Sequence, residues 1–309
     1  RPPDLGGFGL DAQWSDDLHH ALHAVLTGER NGYYCDFGEF EQLLKALREG
    51  FVYDGQYSNY RKRRHGSSSR STPSHRLVVF AQNHDQVGNR MHGDRLSRLV
   101  PFEALKLAAG VIMLSPNLPL LFMGEEYGET APFPYFVSHS DPVLVDAVRR
   151  GRRAEFAAFG WEGNPPDPQA EETFHSARLD PGRRQAAGSH RHLWEFHRRL
   201  ITLRHSSPVF GSSDASHLEV SHVGSRRTGC IRRWCDREEA VIVFHAGEEP
   251  VQAPVFLPAG HWEKVLDSAE AQWGGSGSVV PGTLVSAGEV LMELSPYAFL
   301  VLFKADSER

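Results

Sequence analysis

Leu77-Val78-Val79-Phe80-Ala81-Gln82-Asn83-His84-Asp85-Gln86 decides the fold. Its first five residues form a continuous apolar run. That is the pattern of a strand buried on both faces, the habit of parallel sheets. The run then gives way at once to polar side chains. The same texture recurs downstream, where Leu118–Met123 reads as a short buried strand ending at Gly124-Glu125-Glu126-Tyr127-Gly128. Between the two, Phe102–Leu114 is apolar nearly all round, as in a helix packed between layers, and Pro116 and Pro119 end it. Upstream, Gly7–Ala12 reads as a buried strand, followed by polar residues 13–20 and a helix through Ala21–Leu26. A second helix fits Phe40–Arg48, with Phe40, Leu43, Leu44 and Leu47 on one face and Gly50 as its stop. Strand–helix–strand units whose strands end in polar residues imply an α/β parallel sheet with a site at the carboxyl ends of the strands.

Residues 54–75 read as a polar loop carrying the basic run Arg61-Lys62-Arg63-Arg64, and 129–190 as a long loop, partly helical over Pro142–Phe159. Arg191–Arg204 is an amphipathic helix, with Leu193, Phe196, Leu200 and Leu203 spaced by three and four. After Phe210 the pattern changes to short apolar runs separated by turns, at 229–234, 240–245, 255–257, 262–266, 290–294 and 297–303. These predict a separate antiparallel β domain. The expected division is therefore 1–211 and 212–309.

The 309 residues are 40% hydrophobic, with 23% charged residues and a formal net charge of −6. That length holds one large and one small core. The balance calls for neither nucleic acid nor an anionic membrane as partner, and no apolar run approaches the ~20 residues of a membrane span. Three cysteines, Cys35, Cys230 and Cys235, are too few for a disulfide framework and imply reduced thiols and a cytoplasmic protein. Arg1-Pro2-Pro3-Asp4 does not resemble a targeting signal, and the chain is expected to be part of something longer.

Three clusters carry candidate chemistry. In Asn83-His84-Asp85-Gln86, a carboxylate beside an imidazole suits sugar hydroxyls, since Asp accepts from two and His donates or accepts. The plainer alternative is a strand-end Asp capping the next turn. In Gln13-Trp14-Ser15-Asp16-Asp17-Leu18-His19-His20, Trp14 offers a flat face for a pyranose, and Asp16, Asp17 and the histidines can hold hydroxyls. Alternatively Trp14 is core and an aspartate caps the helix. No metal or cofactor is expected, because adjacent residues at these spacings cannot all face one ion. In the third cluster, Glu125 or Glu126 lines a cleft or forms a structural ion pair.

Phe80–Arg90 resembles the seventh-strand motif of the α-amylase superfamily, in the form used by maltooligosyltrehalose trehalohydrolases. Gly9–His20 is similar to that family's sixth-strand region. Leu121–Gly128, with Pro132–Phe136, is similar to its eighth strand and following loop, and Gly151–Phe156 also fits. The resemblance is most specific over 5–161. It implies an incomplete (β/α)8 barrel, about strands six to eight, followed by an antiparallel β-sandwich. It also implies hydrolysis of the α-1,4 bond next to a terminal trehalose, with retention. Asp85 matches the transition-state-stabilising carboxylate and His84 the neighbouring sugar-binding histidine. Gln86, Asn89 and Arg90 would extend the floor, and Gln13, Trp14, Asp16, Asp17, His20 and Glu125 would help form subsites for a maltooligosyltrehalose or related α-glucan. The family's nucleophile and general acid follow strands four and five and have no counterpart here, so the chain alone is expected to be inactive. The alternatives are a piece of a glycogen branching or other α-glucan enzyme, and a non-catalytic α-glucan-binding protein.

Overall fold

The structure is a computed structural model and describes residues 3–158, 163–212, 215–224 and 227–305. Arg1, Pro2 and the expected helix end at Phe159 lie outside the described residues, as does Trp161 at the edge of the resemblance. The strands are β1 (Gln13–Trp14), β2 (Asp54–Ser58), β3 (Arg63–Gly66), β4 (Leu77–Val79), β5 (Leu118–Pro119), β6 (Leu218–His222), β7 (Thr228–Cys235), β8 (Glu238–His245), β9 (Val251–Asp267), β10 (Thr283–Leu294) and β11 (Phe299–Lys304). The helices are α1 (Asp16–Thr27), α2 (Phe40–Glu49), α3 (His84–Gly88), α4 (Leu96–Leu99), α5 (Phe102–Met113), α6 (Pro142–Ala158), α7 (Glu171–Ser176), α8 (Ser189–Ser206) and α9 (Pro208–Gly211).

β1, β4 and β5 form a parallel sheet in the order β1-β4-β5, with no closed barrel among the described residues. The central strand is bonded on both sides: Gln13 pairs with Leu77 and Val79 with Pro119. Each strand ends within one or two residues of the others, so the three following loops leave from a common edge. The helices pack as their patterns require. Ser15 caps α1 by accepting from the Leu18 amide at 3.4 Å. Helix α2 buries Phe40, Leu43, Leu44 and Leu47. Helix α8 buries Leu193, Phe196, Leu200 and Leu203, and α5 is buried from Ala104 to Met113 apart from Leu105.

Three local expectations are corrected. Gly7–Ala12 is not a buried strand, since Phe8 is 95% and Leu10 73% exposed. β1 is an edge strand among the described residues, and no described strand pairs with that run. The strand at Leu118–Met123 is shorter than expected, spanning Leu118–Pro119, and the chain leaves the sheet after the Leu120 amide bonds to the Val79 carbonyl. Residues 54–66 hold a two-stranded antiparallel hairpin rather than a plain loop. It is pinned by the Asp36 carboxylate, which accepts from Tyr53 Oη at 2.7 Å, Ser58 Oγ at 2.6 Å and the Asn59 amide at 2.8 Å.

The carboxyl-terminal region is one antiparallel sheet in the order β10-β9-β11-β8-β7-β6. The two expected runs at 255–257 and 262–266 are parts of the single strand β9. Its second half, Trp262–Asp267, pairs with β11, while its first half pairs only with β10. The sheet thereby folds over itself. Val255, Leu257, Met292 and Leu294 pack in one apolar cluster with Val241, Val243, Leu300 and Leu302, giving sandwich-like layers from continuous strands. The opposite face of the same sheet, with Ile231, Ile242, Phe244, Phe299 and Val301, joins a larger core that includes α1, α2, α5 and α8.

Arg204 locks β5 in place. Its guanidinium donates to the carbonyls of Met113 at 2.7 Å, Ser115 at 2.8 Å and Asn117 at 2.7 Å, the chain that leads from α5 into β5. Burial alone lowers its pKa. Arg204→Met keeps the apolar stem but strands three carbonyls. The expected cost is about 2–4 kcal/mol of unfolding free energy, read from urea titration as a lower midpoint. An unchanged midpoint would refute this role.

Candidate strand-end site

The site is built at the carboxyl ends of β1 and β4. Asn83 starts α3 as its cap, its Oδ1 accepting from the amides of Asp85 at 2.9 Å and Gln86 at 3.2 Å. The turn projects His84 and Asp85 to the surface with more than half of each side chain exposed, and His84 Nε2 lies 3.4 Å from Asp85 Oδ1. Trp14 stands beside them, 37% exposed, with its ring edge-on to His84 at 5.7 Å and to Phe80 at 5.6 Å. The buried Gln86 bridges the two strand ends by donating from Nε2 to Asp16 Oδ1 at 3.3 Å. Partial burial raises the Asp16 pKa. The Gln86 bond opposes that rise, and the Asp85 charge adds to it. The cluster is thus an aromatic face, an imidazole and two carboxylates on one rim.

Gln13 and Asn89 are exposed at the margins, and Arg152 donates to Asn89 at 3.5 Å and to the Gly88 carbonyl at 3.0 Å. Other expected residues are engaged elsewhere. Asp17 is buried, and its Oδ2 accepts from the amides of Val52 at 2.9 Å and Tyr53 at 2.8 Å, so it holds the segment after α2. His20 is enclosed by Tyr33, Tyr34 and Phe37, and burial pushes its pKa down to about 3. Arg90 makes a bidentate pair with Glu29 at 2.8 and 2.7 Å.

Glu125 is also separate. The residue keeps part of its surface in solvent, but its carboxylate is enclosed, with Oε2 accepting from the Phe122 amide at 3.3 Å. It lines a cavity of about 10 Å³ with Gln82, Glu129 and His197, whose Nε2 has no partner. That volume suits about one water. Burial raises the Glu125 pKa to about 8. His19, expected among the hydroxyl-holding histidines, is buried and meets the Ala81 carbonyl and Tyr34 Oη instead, and the sequence did not single out Glu29, His23 or Tyr34. The only signal was the helical spacing of the three histidines along α1. Among the described residues no three His, Cys, Asp or Glu side chains gather as metal ligands, and no helix is long and apolar enough to cross a membrane.

Comparison with known proteins places the chain among related sequences and folds. No family model matches the chain. The malto-oligosyltrehalose trehalohydrolase of Rhizobium sp. (strain M-11) is 49% identical over 253 residues, which is 81% of this chain and 42% of that protein. The protein of the same name from Arthrobacter ramosus is 42% identical over 287 residues, 89% of this chain and 46% of that protein. The chain thus spans less than half the length of these relatives. A crystal structure of a putative α-amylase from Salmonella typhimurium superposes with a TM-score of 0.77 at 31% identity, covering 95% of this chain and 47% of that one. The α-amylase of H. orenii shares the fold at a TM-score of 0.54 and 16% identity.

Glu125 gives a pH-dependent prediction. A folded-state pKa of about 8 against an ordinary 4.5 means that the folded state holds this proton more tightly. The stability linked to it is present below pH 4.5 and is lost, at about 1.4 kcal/mol per pH unit, as pH rises toward 8. Glu125→Gln removes the penalty. The variant should match the parent at pH 4.5 and melt several degrees higher at pH 8.5 by scanning calorimetry. Equal melting curves at both pH values would show that the carboxylate is not held neutral.

Proposed function

Since the chain is related to the malto-oligosyltrehalose trehalohydrolases and matches less than half of their length, we propose that it forms one wall of the active site of such a glycoside hydrolase. The substrate would be a maltooligosyltrehalose, cleaved with retention at the α-1,4 bond next to the terminal trehalose. The single observation that supports this reading is the gathering of Trp14, His84, Asp85 and the Asp16–Gln86 pair on one strand-end rim.

The proposed chemistry follows from what each group can do. Trp14 offers its exposed face to an apolar pyranose surface. Asp85 and His84 hold ring hydroxyls, and the Asp85 charge favours an oxocarbenium-like transition state. Retaining hydrolysis requires a nucleophile and a general acid about 5–5.5 Å apart across the scissile bond. We assign neither role to Asp16 or Asp17: Asp16 follows the wrong strand, and Asp17 serves the α2 segment. These 309 residues therefore bind α-glucan and release no trehalose by themselves. A cytoplasmic setting belongs to the same proposal and is supported by three free cysteines.

A related reading, another α-glucan hydrolase, is favoured by a 27% match over 84% of the chain to the α-amylase MalA of Haloarcula japonica. Products separate the two: trehalose in one case, reducing maltooligosaccharides in the other.

The test is calorimetric titration of the chain with maltotriosyltrehalose, followed by chromatography for free trehalose. Binding without turnover is expected. Trp14→Ala should weaken binding by about fivefold or more. Asp85→Asn, a substitution at an exposed position, should weaken it without lowering the melting temperature. Turnover at the rate of a complete glycosidase would overturn the role assignment, and no binding would overturn the site.

A further inference from the structure

The segment that carries His84 and Asp85 is held at both of its ends by α1 and the turn that follows it. At the upstream end, His19 Nδ1 meets the Ala81 carbonyl at 2.8 Å, and His19 Nε2 meets Tyr34 Oη at 2.9 Å. A carbonyl accepts only, so Nδ1 carries the proton, Nε2 accepts, and the Tyr34 hydroxyl donates. Tyr34 stacks on His23 with ring centroids 4.4 Å apart and planes 17° from parallel. His23 Nε2 donates to Glu29 Oε2 at 2.8 Å. Glu29 closes the circuit by accepting from both terminal guanidinium nitrogens of Arg90, Nη1 and Nη2, at 2.8 and 2.7 Å. The chain of contacts thus leaves the backbone at residue 81 and returns at residue 90, with Asn83, His84 and Asp85 between.

Glu29 is itself prepared for this position. Its amide donates to Thr27 Oγ1 at 3.1 Å, and that hydroxyl donates to the His23 carbonyl at 2.8 Å, just past the end of α1. Burial opposes its charge, but Arg90 and His23 more than offset this and hold the carboxyl down at about 2. Burial keeps His19 and His23 neutral, so each ring retains one proton. Between the circuit and α3 lies a cavity of about 10 Å³ lined by His19, His23, Gln82, Gln86 and Arg90, and Gln86 Oε1 has no protein partner. Gln86 is the residue that reaches across to Asp16.

We propose that Glu29, acting through Arg90 and with His23, Tyr34 and His19, is a positioning residue that sets the His84–Asp85 turn for sugar binding. This rests on the reading of the strand-end rim as an α-glucan site. It places Arg90 behind the site and not against the sugar. A point charge cannot replace the fork of Arg90, because both of its arms are used.

The experiment titrates the unmodified chain, Glu29→Gln, Glu29→Asp and Arg90→Lys with maltotetraose, and follows backbone amide and histidine ring nitrogen resonances. Glu29→Gln and Arg90→Lys are each expected to weaken binding about tenfold. The double variant should be no worse than either alone, because the two act on one path. Glu29→Asp should recover part of the loss. The amide resonances of His84 and Asp85 should move in the weakened variants while those of β8 and β11 stay in place. In the unmodified chain, maltotetraose should shift the ring resonances of His19 and His23, which holds the proposal to account even where a variant does not fold. If the unmodified chain binds and Glu29→Gln binds equally well, or if the histidine rings do not respond, the positioning role is wrong and the sugar site stands. If the unmodified chain does not bind maltotetraose, the sugar site and this role fall together.

Discussion

The backbone pairing of β4 on both sides is the constraint from which the rest follows. The Val78 carbonyl accepts from the Ser15 amide and the Val79 carbonyl from the Leu120 amide, each at 2.8 Å. With strands of two and three residues, there is no room for slippage without losing the ladder altogether. The two bonds therefore determine where β1 and β5 stop, and hence where Trp14, His84 and Glu125 begin their loops. The side chains of Val79 and Phe80 are fully buried, so the strand cannot rotate to present another face. A polar residue can reach solvent only after the apolar run ends, which is why the chemistry collects at one rim.

Charge inside the molecule is handled in two different ways. Arg204, Arg233 and Lys106 are satisfied largely by backbone carbonyls: Lys106 Nζ donates to the Ser268 carbonyl at 2.6 Å and pairs with Glu103 at 2.7 Å. Lys106 and Arg233 join α5 and the residue after it to the carboxyl-terminal region, whereas Arg204 joins α8 to the chain between α5 and β5. Beneath the rim, by contrast, cation meets anion in the Arg90–Glu29 pair. A paired, hydrogen-bonded charge in low dielectric is rigid, and removing one partner leaves the other buried and uncompensated. Carbonyl-bound cations fasten elements together, whereas the ion pair orients one turn.

How much of this was legible in the sequence depends on the range of the forces involved. Leu77–Phe80, Phe102–Met113 and the Leu193–Leu203 face could be read because burial acts on local patterns of three to twelve residues. The rim residues Trp14, His84 and Asp85 could be read because polar side chains directly follow a buried run. Glu29 could not, since its partner Arg90 is 61 residues away and no pattern couples them. The cavity that Glu125 lines could not be read for a similar reason, since it is shared with His197 from a helix more than 70 residues later. Phe8 and Leu10 misled in the opposite sense. Apolar sequence signals a wish for burial, and it becomes a strand only where a neighbouring strand is present to pair with it.

The carboxyl-terminal sheet is more than an appended module. On α5, Gly110 packs so closely that an added Cβ would sit 2.5 Å from the Phe299 ring. On β7, Gly229 leaves room for Phe244, with Leu44 of α2 beside it. A helix apolar on every side needs cover on every side. Here α5 receives much of it from α8 and from β11 through Phe299. The same sheet face also reaches α2 through Phe40 and Phe244, 5.8 Å apart. The long curled β9 is what makes this possible. By folding its first half back over β8 and β11, it buries their second face and frees the first to be spent wholly on the helices.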